Sequence, residues 1–278
     1  MIDLHTHSYY SDGTCSPAQL VAQAQDMGLH AIALCDHNTV EGLPAFMAAG
    51  ENSTVETVPG IELSTEYNST ELHVLALFIQ PAQYGPITAL LEEFRLCKEQ
   101  SNIQLTEALR RAGLDIDYSR IRAEAEGYVN RAVIGAELTR KGYTASVQEA
   151  FRKYLDPVRG FYIPPKRLDT LDAIGFVKEL GAVAVLAHPF LNLEETRLRQ
   201  FLFKAVACGL DGMEILYSRY DSRTTELSRK IAEEFGILPS GGSDFHGENK
   251  PDIRLGTGRG NLEVPDEFLQ KLAGKLMK

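Results

Sequence analysis

Among the first 94 of the 278 residues there is no lysine and no arginine, against twelve acidic side chains. The whole chain is acidic, with a formal net charge of −10. Binding of long duplex nucleic acid draws its affinity mainly from neutralising phosphates, so that class of partner is excluded. A short anionic substrate stays open, because it needs only local positive charge or a metal ion. Long apolar runs are missing too, none approaching the roughly eighteen residues that span a bilayer. The start of the chain, Met1-Ile2-Asp3-Leu4-His5, has neither the basic residues nor the apolar stretch of a secretory signal. A soluble cytoplasmic protein with no membrane partner is expected. Cysteine is scarce and scattered: Cys15, Cys35, Cys97 and Cys208 form no Cys-x-x-Cys pair, which argues against a disulfide framework or a thiolate zinc cage. There is no internal repeat and no low-complexity tract.

What is present is a chain with 44% apolar residues, ample for a buried core in one large α/β domain or two smaller ones. Short apolar runs at 2–5, 31–36, 58–63, 72–79, 182–188, 212–216 and 237–241 have the length and composition of buried strands. Helical spacing lies between several of them, at 17–27, 169–180, 194–208 and 221–235, which is the alternation of βα units. Ser16 followed by Pro17 marks a helix start, and Gly28, Gly181, Gly209 and Gly236 fall where the helices should stop. The rhythm breaks at 81–165, where the pattern is helical, with helices expected at 87–112, 131–141 and 146–154. This block nearly coincides with residues 95–167, which carry fourteen basic and nine acidic side chains. The expected organisation is a βα barrel formed by 1–80 and 166–278, with an inserted helical substrate-recognition domain at 81–165.

Six of the seven histidines lie at strand ends or in the following loops, the face on which parallel βα folds assemble their sites. In order, the chemistry-bearing pieces are His5-Thr6-His7, Asp12, Asp36-His37, Glu62, His73, His188-Pro189 and Asp244-Phe245-His246. Only His30 falls outside them. Strand alternation sends His5 and His7 to one face, where two imidazoles can grip one ion, and Asp244 with His246 repeats the spacing with a carboxylate. A core gains nothing from nine converging polar groups that need partners. Nine nitrogen and oxygen ligands exceed the needs of one ion, so two or three divalent ions are implied, and the donors suit manganese, zinc or iron better than magnesium. Glu62 is the carboxylate suited to bridging two of them. Paired ions of this kind commonly clamp phosphate esters during hydrolysis.

Together, His5-Thr6-His7, Ser11-Asp12-Gly13, the stretch from Cys35 to Gly42, Pro59-Gly60-Ile61-Glu62, Ala187-His188-Pro189 and the stretch from Gly242 to Gly247 closely resemble the motifs of the polymerase and histidinol phosphatase (PHP) family of metal-dependent phosphoesterases. The resemblance covers roughly residues 1–80 and 168–260. It implies a distorted seven-stranded (βα)7 barrel, in accord with the strand count. It also implies three metal sites: His5, His7, Glu62 and Asp244; Glu62, His73 and His188; and Asp12, His37 and His246. Asn38 departs from the pattern, since similar sequences often carry Asp there.

Within the family the chain resembles the bacterial branch with a helical insert, which includes nucleoside 3′,5′-bisphosphate phosphatases and enzymes that trim short oligoribonucleotides from the 5′ end. Val129-Asn130-Arg131 resembles that branch's Gly-Arg-Pro stretch, although the flanks of Arg131 differ. The substrate so implied is a small phosphorylated nucleotide, attacked by a metal-activated hydroxide. His188 and His246 are the candidates for protonating the leaving oxygen, and Asp36 for orienting a metal ligand. Arg131, at a helix start whose free N–H groups could share a phosphate, joins Arg159, Lys166 and Ser243 as candidate substrate contacts. Phe161 and Tyr162 are candidates for stacking on a base. Cys35, among apolar neighbours, reads as a structural thiol. Two alternatives remain open: a phosphatase of the same family acting on a substrate such as histidinol phosphate, and a non-catalytic metal-binding module.

Overall fold

The structure, a computed structural model, describes residues 1–124 and 129–276. Seven strands form one sheet in chain order: β1 (Ile2–Thr6), β2 (Ala31–Leu34), β3 (Glu56–Tyr67), β4 (Thr70–Leu77), β5 (Val183–Ala187), β6 (Gly212–Tyr217) and β7 (Leu238–Gly242). All seven coincide with the apolar runs of the sequence. Around them lie α1 (Pro17–Asp26), α2 (Leu43–Gly50), α7 (Thr170–Glu179), α8 (Glu195–Ala207), α9 (Ser222–Phe235) and α10 (Asp266–Ala273). The helices α3 (Tyr84–Arg111), α4 (Tyr118–Glu124), α5 (Arg131–Arg140) and α6 (Val147–Ala150) fall between β4 and β5, and α6 runs on as a π-helical turn, Phe151–Leu155.

Helix α1 begins where its cap dictates: the Ser16 hydroxyl accepts from Gln19 N, while the Gln19 side chain accepts from Ser16 N. Two free amides are thereby satisfied reciprocally. Strands such as β5, Val-Ala-Val-Leu-Ala, are buried at every residue, as a sheet covered on both faces requires.

Strand β4 departs from the βα rhythm. It is antiparallel to both β3 and β5, whereas the other neighbours pair parallel. The cause is local: Asn68 and Ser69 both have positive φ, 47° and 60°, the tight two-residue turn whose twist matches a hairpin. Reversal brings the beginning of β4 level with the C-terminal ends of its neighbours, and His73 pairs with Ala187, the last residue of β5. A parallel β4 would have carried His73 to the opposite end of the sheet.

The sheet curls until its first and last strands nearly close a barrel. Asp244 N donates to His5 O at 2.8 Å and His7 N donates to Phe245 O at 2.9 Å, while the buried Asp3 carboxylate accepts from Ser243 N and Gly256 N, each at 2.8 Å. This approach tolerates no side chain at Gly242, where a Cβ would stand 2.4 Å from His5 Cβ and 2.6 Å from its backbone nitrogen.

Two compact units emerge from the packing, Met1–Thr88 with Leu168–Lys278, and Ala89–Arg167. The second has its own core, including Leu105, Leu109, Ile116, Ile134, Leu138 and Leu155. No helix among the described residues is long and apolar enough to cross a membrane.

Gly242→Ala is expected to lower the unfolding free energy by on the order of 3 kcal/mol, because the clash is with backbone. Ser16→Ala, which removes one cap, should cost about 1 kcal/mol. Urea unfolding of both variants beside the parent chain checks the contrast, and equal losses would contradict it.

Candidate metal centre

The barrel unit delivers its polar side chains to one end. His5 and His7 leave β1 on the same side, whereas the intervening Thr6 turns away to donate its hydroxyl to Ala33 O at 2.7 Å. Asp12 lies on a turn drawn tight by Gly13 N donating to Ser8 O at 2.9 Å; a Cβ on Gly13 would meet His7 O at 2.3 Å. His37 follows β2, Glu62 lies within β3, and His73 comes from the reversed β4. His188 and Asp244, just past β5 and β7, both have positive φ, 27° and 58°. His246 completes the set.

Glu62 is the hub. Its side chain is fully buried, and five imidazole nitrogens stand within 3.2 Å of it. Oε1 lies 2.7 Å from His73 Nδ1 and 3.0 Å from His188 Nε2. Oε2 lies 3.1 Å from His5 Nε2, 3.2 Å from His7 Nε2 and 3.1 Å from His37 Nδ1. Asp244 Oδ1 adds a contact to His7 Nε2 at 3.2 Å, and Asp12 Oδ1 one to His246 Nε2 at 3.1 Å. All nine expected ligands are thus together.

The contacts around Oε2 are close, yet neither that oxygen nor His5 Nε2, His7 Nε2 or His37 Nδ1 has a hydrogen-bond partner, and all are buried. Buried polar atoms left unpaired are rare and costly, and a cation set among them removes the cost. The spacing agrees, because ligands on a tetrahedral or octahedral ion are roughly 3.0–3.5 Å apart. Among the described residues, donor atoms come within 4.8 Å of one another in four groups: His7, Asp12, His37 and His246; His5, His7, Glu62 and Asp244; His37, Glu62 and His73; and His5, His188 and Glu214. These clusters could bind metal ions.

The electrostatics favour positive charge. Burial works to raise the Glu62 carboxyl, but His37, His5 and His73 hold it well below the usual range. Asp244 is held down likewise by His7 and His5 against its burial. Burial opposes charge on His73, yet the Glu62 carboxylate raises it to about 10, while burial pushes His37 down to about 4. Burial raises the Cys35 thiol far above neutrality, in keeping with a structural role.

Asp36 does not reach the imidazoles through its hydrogen bonds. It accepts from Ser8 N at 2.7 Å and from the hydroxyls of Ser8 and Ser11, each at 2.6 Å, and so anchors the turn that carries Asp12. Asn38 has φ 52°, donates through Nδ2 to Ser64 Oγ and accepts from Ser64 N. Ser243 is fully buried, with its N–H on Asp3.

In the helical unit, Arg131 opens α5, but the N–H groups there are not free: the Asn130 side chain accepts from Ala132 N and Val133 N. The guanidinium lies over Tyr162 and Phe151, 4.4 and 5.3 Å from the ring centroids, and donates to Leu155 O at 3.1 Å. Tyr162 is correspondingly buried and not exposed for stacking on a base. Arg159 is exposed, and Lys166 pairs with Glu93 at 3.4 Å.

Three neighbours of the centre were not anticipated from the sequence. Glu214 in β6 is fully buried, its Oε1 2.9 Å from His5 Nδ1 and its Oε2 accepting from His188 N at 2.6 Å. An acid inside the apolar run 212–216 was the available signal, since a buried charge must be paired. Tyr217 and Lys250 both hold Asp244 Oδ2, at 2.8 and 2.7 Å. Their sequence neighbourhood carries no signal for this.

Comparison with known proteins agrees with this geometry. The family model described as the PHP domain matches residues 3–164. A 5′-3′ exoribonuclease of Haemophilus influenzae is 31% identical, with 88% of this chain and 89% of that protein covered. A 3′,5′-nucleoside bisphosphate phosphatase of Chromobacterium violaceum is 27% identical, over 91% and 90% of the two chains. A solved structure described as an amidohydrolase from Chromobacterium violaceum, with bound sulfate and no metal, superposes with a TM-score of 0.75 at 25% identity and covers 99% of this chain and 96% of its own.

Removing the hub's charge should empty the centre. Glu62→Gln is expected to lose divalent metal in elemental analysis after manganese loading and desalting. His30→Ala should retain the parent content, because His30 is exposed and its ring meets Asp266. Equal metal content in the two variants would contradict the assignment.

Proposed function

Because the chain belongs to the PHP family and is a metal-dependent phosphoric ester hydrolase, we propose that it removes the 3′-phosphate of nucleoside 3′,5′-bisphosphates and also acts on short 5′-phosphorylated oligoribonucleotides. One observation carries the hydrolytic reading: a buried carboxylate whose two oxygens face separate sets of imidazoles, an arrangement suited to holding two ions side by side. The substrate reading is supported by the activities named for the Chromobacterium and Haemophilus relatives.

In this proposal His5, His7, Glu62 and Asp244 hold one ion, Glu62, His73 and His188 a second, and Asp12, His37 and His246 a third. Nitrogen and oxygen donors without sulfur suit manganese, zinc or iron. When bound, such ions supply Lewis-acid stabilisation of phosphoryl oxygens and make water a nucleophile at neutral pH. The chain's own residues do the rest. His246 Nδ1 faces the Asp244 carbonyl at 2.8 Å and must be its donor, which leaves a lone pair on Nε2 of the neutral ring. His188 is likewise given to an ion, its Nε2 3.0 Å from Glu62 Oε1, so His188 and His246 both stand as proposed donors to the leaving oxygen, whichever ring is free of an ion in the reacting complex. Asp36, through Ser8 and Ser11, keeps Asp12 in position. Arg131, stiffened between two rings, and the exposed Arg159 and Lys166 are the proposed phosphate contacts of the helical unit, whereas Ser243, expected from the sequence as a substrate contact, is fully buried and is not among them.

The test is phosphate release, with manganese present, from adenosine 3′,5′-bisphosphate, histidinol phosphate and a short 5′-phosphorylated RNA. Release from the bisphosphate, lost in His7→Ala and Asp244→Ala, is expected. Activity confined to histidinol phosphate would overturn the substrate reading, and activity unchanged in both variants would overturn the catalytic one.

A further inference from the structure

The side chain of Glu214 is fully buried, yet none of the proposed steps uses it. A carboxylate in such a place is costly unless both oxygens are hydrogen-bonded, and both are. Oε2 accepts from the backbone N–H of His188 at 2.6 Å, a bond whose direction is fixed because an amide nitrogen can only donate. Oε1 lies 2.9 Å from His5 Nδ1. A carboxylate accepts at both oxygens, so Nδ1 of His5 carries a hydrogen, and the lone pair of the neutral ring falls on Nε2. Nε2 is the buried atom without a hydrogen-bond partner, 3.1 Å from Glu62 Oε2 and 3.8 Å from Asp244 Oδ1.

The second bond acts on another ligand. His188 has φ 27° and ψ 51°, backbone values that a residue with a Cβ adopts only when its surroundings enforce them. The bond from Glu214 to its N–H is one such constraint, and the conformation sets His188 Nε2 at 3.0 Å from Glu62 Oε1. One side chain on β6 thus braces ligands carried by β1 and by the loop after β5, one on each oxygen of Glu62.

We infer that Glu214 is a positioning residue, not a metal ligand: it fixes the ligating tautomer of His5 and the backbone pose of His188. The inference rests on the metal reading proposed above. Glutamine cannot substitute, because its amide offers one acceptor and one donor. With its oxygen toward His5, the NH2 opposes the His188 N–H. With its oxygen toward His188, the NH2 faces His5 Nδ1 and moves the ring hydrogen to Nε2, the nitrogen needed for the ion.

The experiment measures zinc binding by calorimetry for the full-length parent and Glu214→Gln, together with nitrogen-15 spectra of the histidine rings in the zinc-loaded parent. Expected are a weakening of about 10- to 100-fold confined to sites that use His5 or His188, and a His5 ring in the parent that carries hydrogen on Nδ1 and binds zinc through Nε2. Unchanged affinity, or loss spread evenly over all sites with a lowered unfolding midpoint, would overturn the inference. So would a parent His5 bound through Nδ1, or zinc contacted by Glu214 itself. Should the variant not fold, the parent spectra decide alone. A parent chain that binds no zinc or manganese would sink the metal reading as well, an outcome distinct from a parent that binds normally and a variant that does so equally.

Discussion

The rest of the structure depends on one buried carboxylate. Glu62 has five imidazole nitrogens within 3.2 Å and no exposure to water, an arrangement that a protein interior supports only when positive charge is shared among the partners. Those imidazoles come from β1, the loop after β2, the start of β4 and the loop after β5. Each strand must therefore end at nearly the same height, and the barrel is the device that achieves this. Gly242, Asp3 and the bonds joining His5 and His7 to residues 244 and 245 draw β7 against β1, and in doing so bring Asp244 to His7. Closure of the fold and assembly of the centre are the same set of contacts.

Around that hub the fold supports the ligands outward. Glu214 bears on His5 and His188, Tyr217 and Lys250 on Asp244, and Asp36 on the turn that carries Asp12. Two of the supported residues have positive φ, Asp244 at 58° in the left-handed region that aspartate tolerates and His188 at 27°, which its surroundings must enforce. Strain of this kind collects where side-chain direction matters more than local stability. The helical unit follows a different logic, with its own apolar core and with Arg131 held by aromatic rings and a carbonyl.

Much of this was legible in the sequence, for physical reasons that differ from piece to piece. His5-x-His7 and Asp244-x-His246 could be read because strand geometry fixes where alternate side chains point, and the seven apolar runs because buried strands cannot be polar. The direction of β4 could not be read from its own residues; it is set by Asn68 and Ser69, a two-residue turn without glycine. The place of His73 depends on that reversal. Glu214 was hidden for the opposite reason, since its partners are 209 and 26 residues distant in the chain. The open helix start expected at Arg131 is closed by Asn130, a cap that the sequence carried in plain view. The short helices α2 and α4 lack the long apolar period that marks their neighbours.

In the proposed function Glu62 is shared between ions. Anomalous diffraction at the manganese edge from crystals grown with manganese tests it most directly. Two or three peaks are expected, at least two of them in contact with Glu62, one also touching His5 and His7 and another His73 and His188. A single peak, or peaks that leave Glu62 uncontacted, would contradict it.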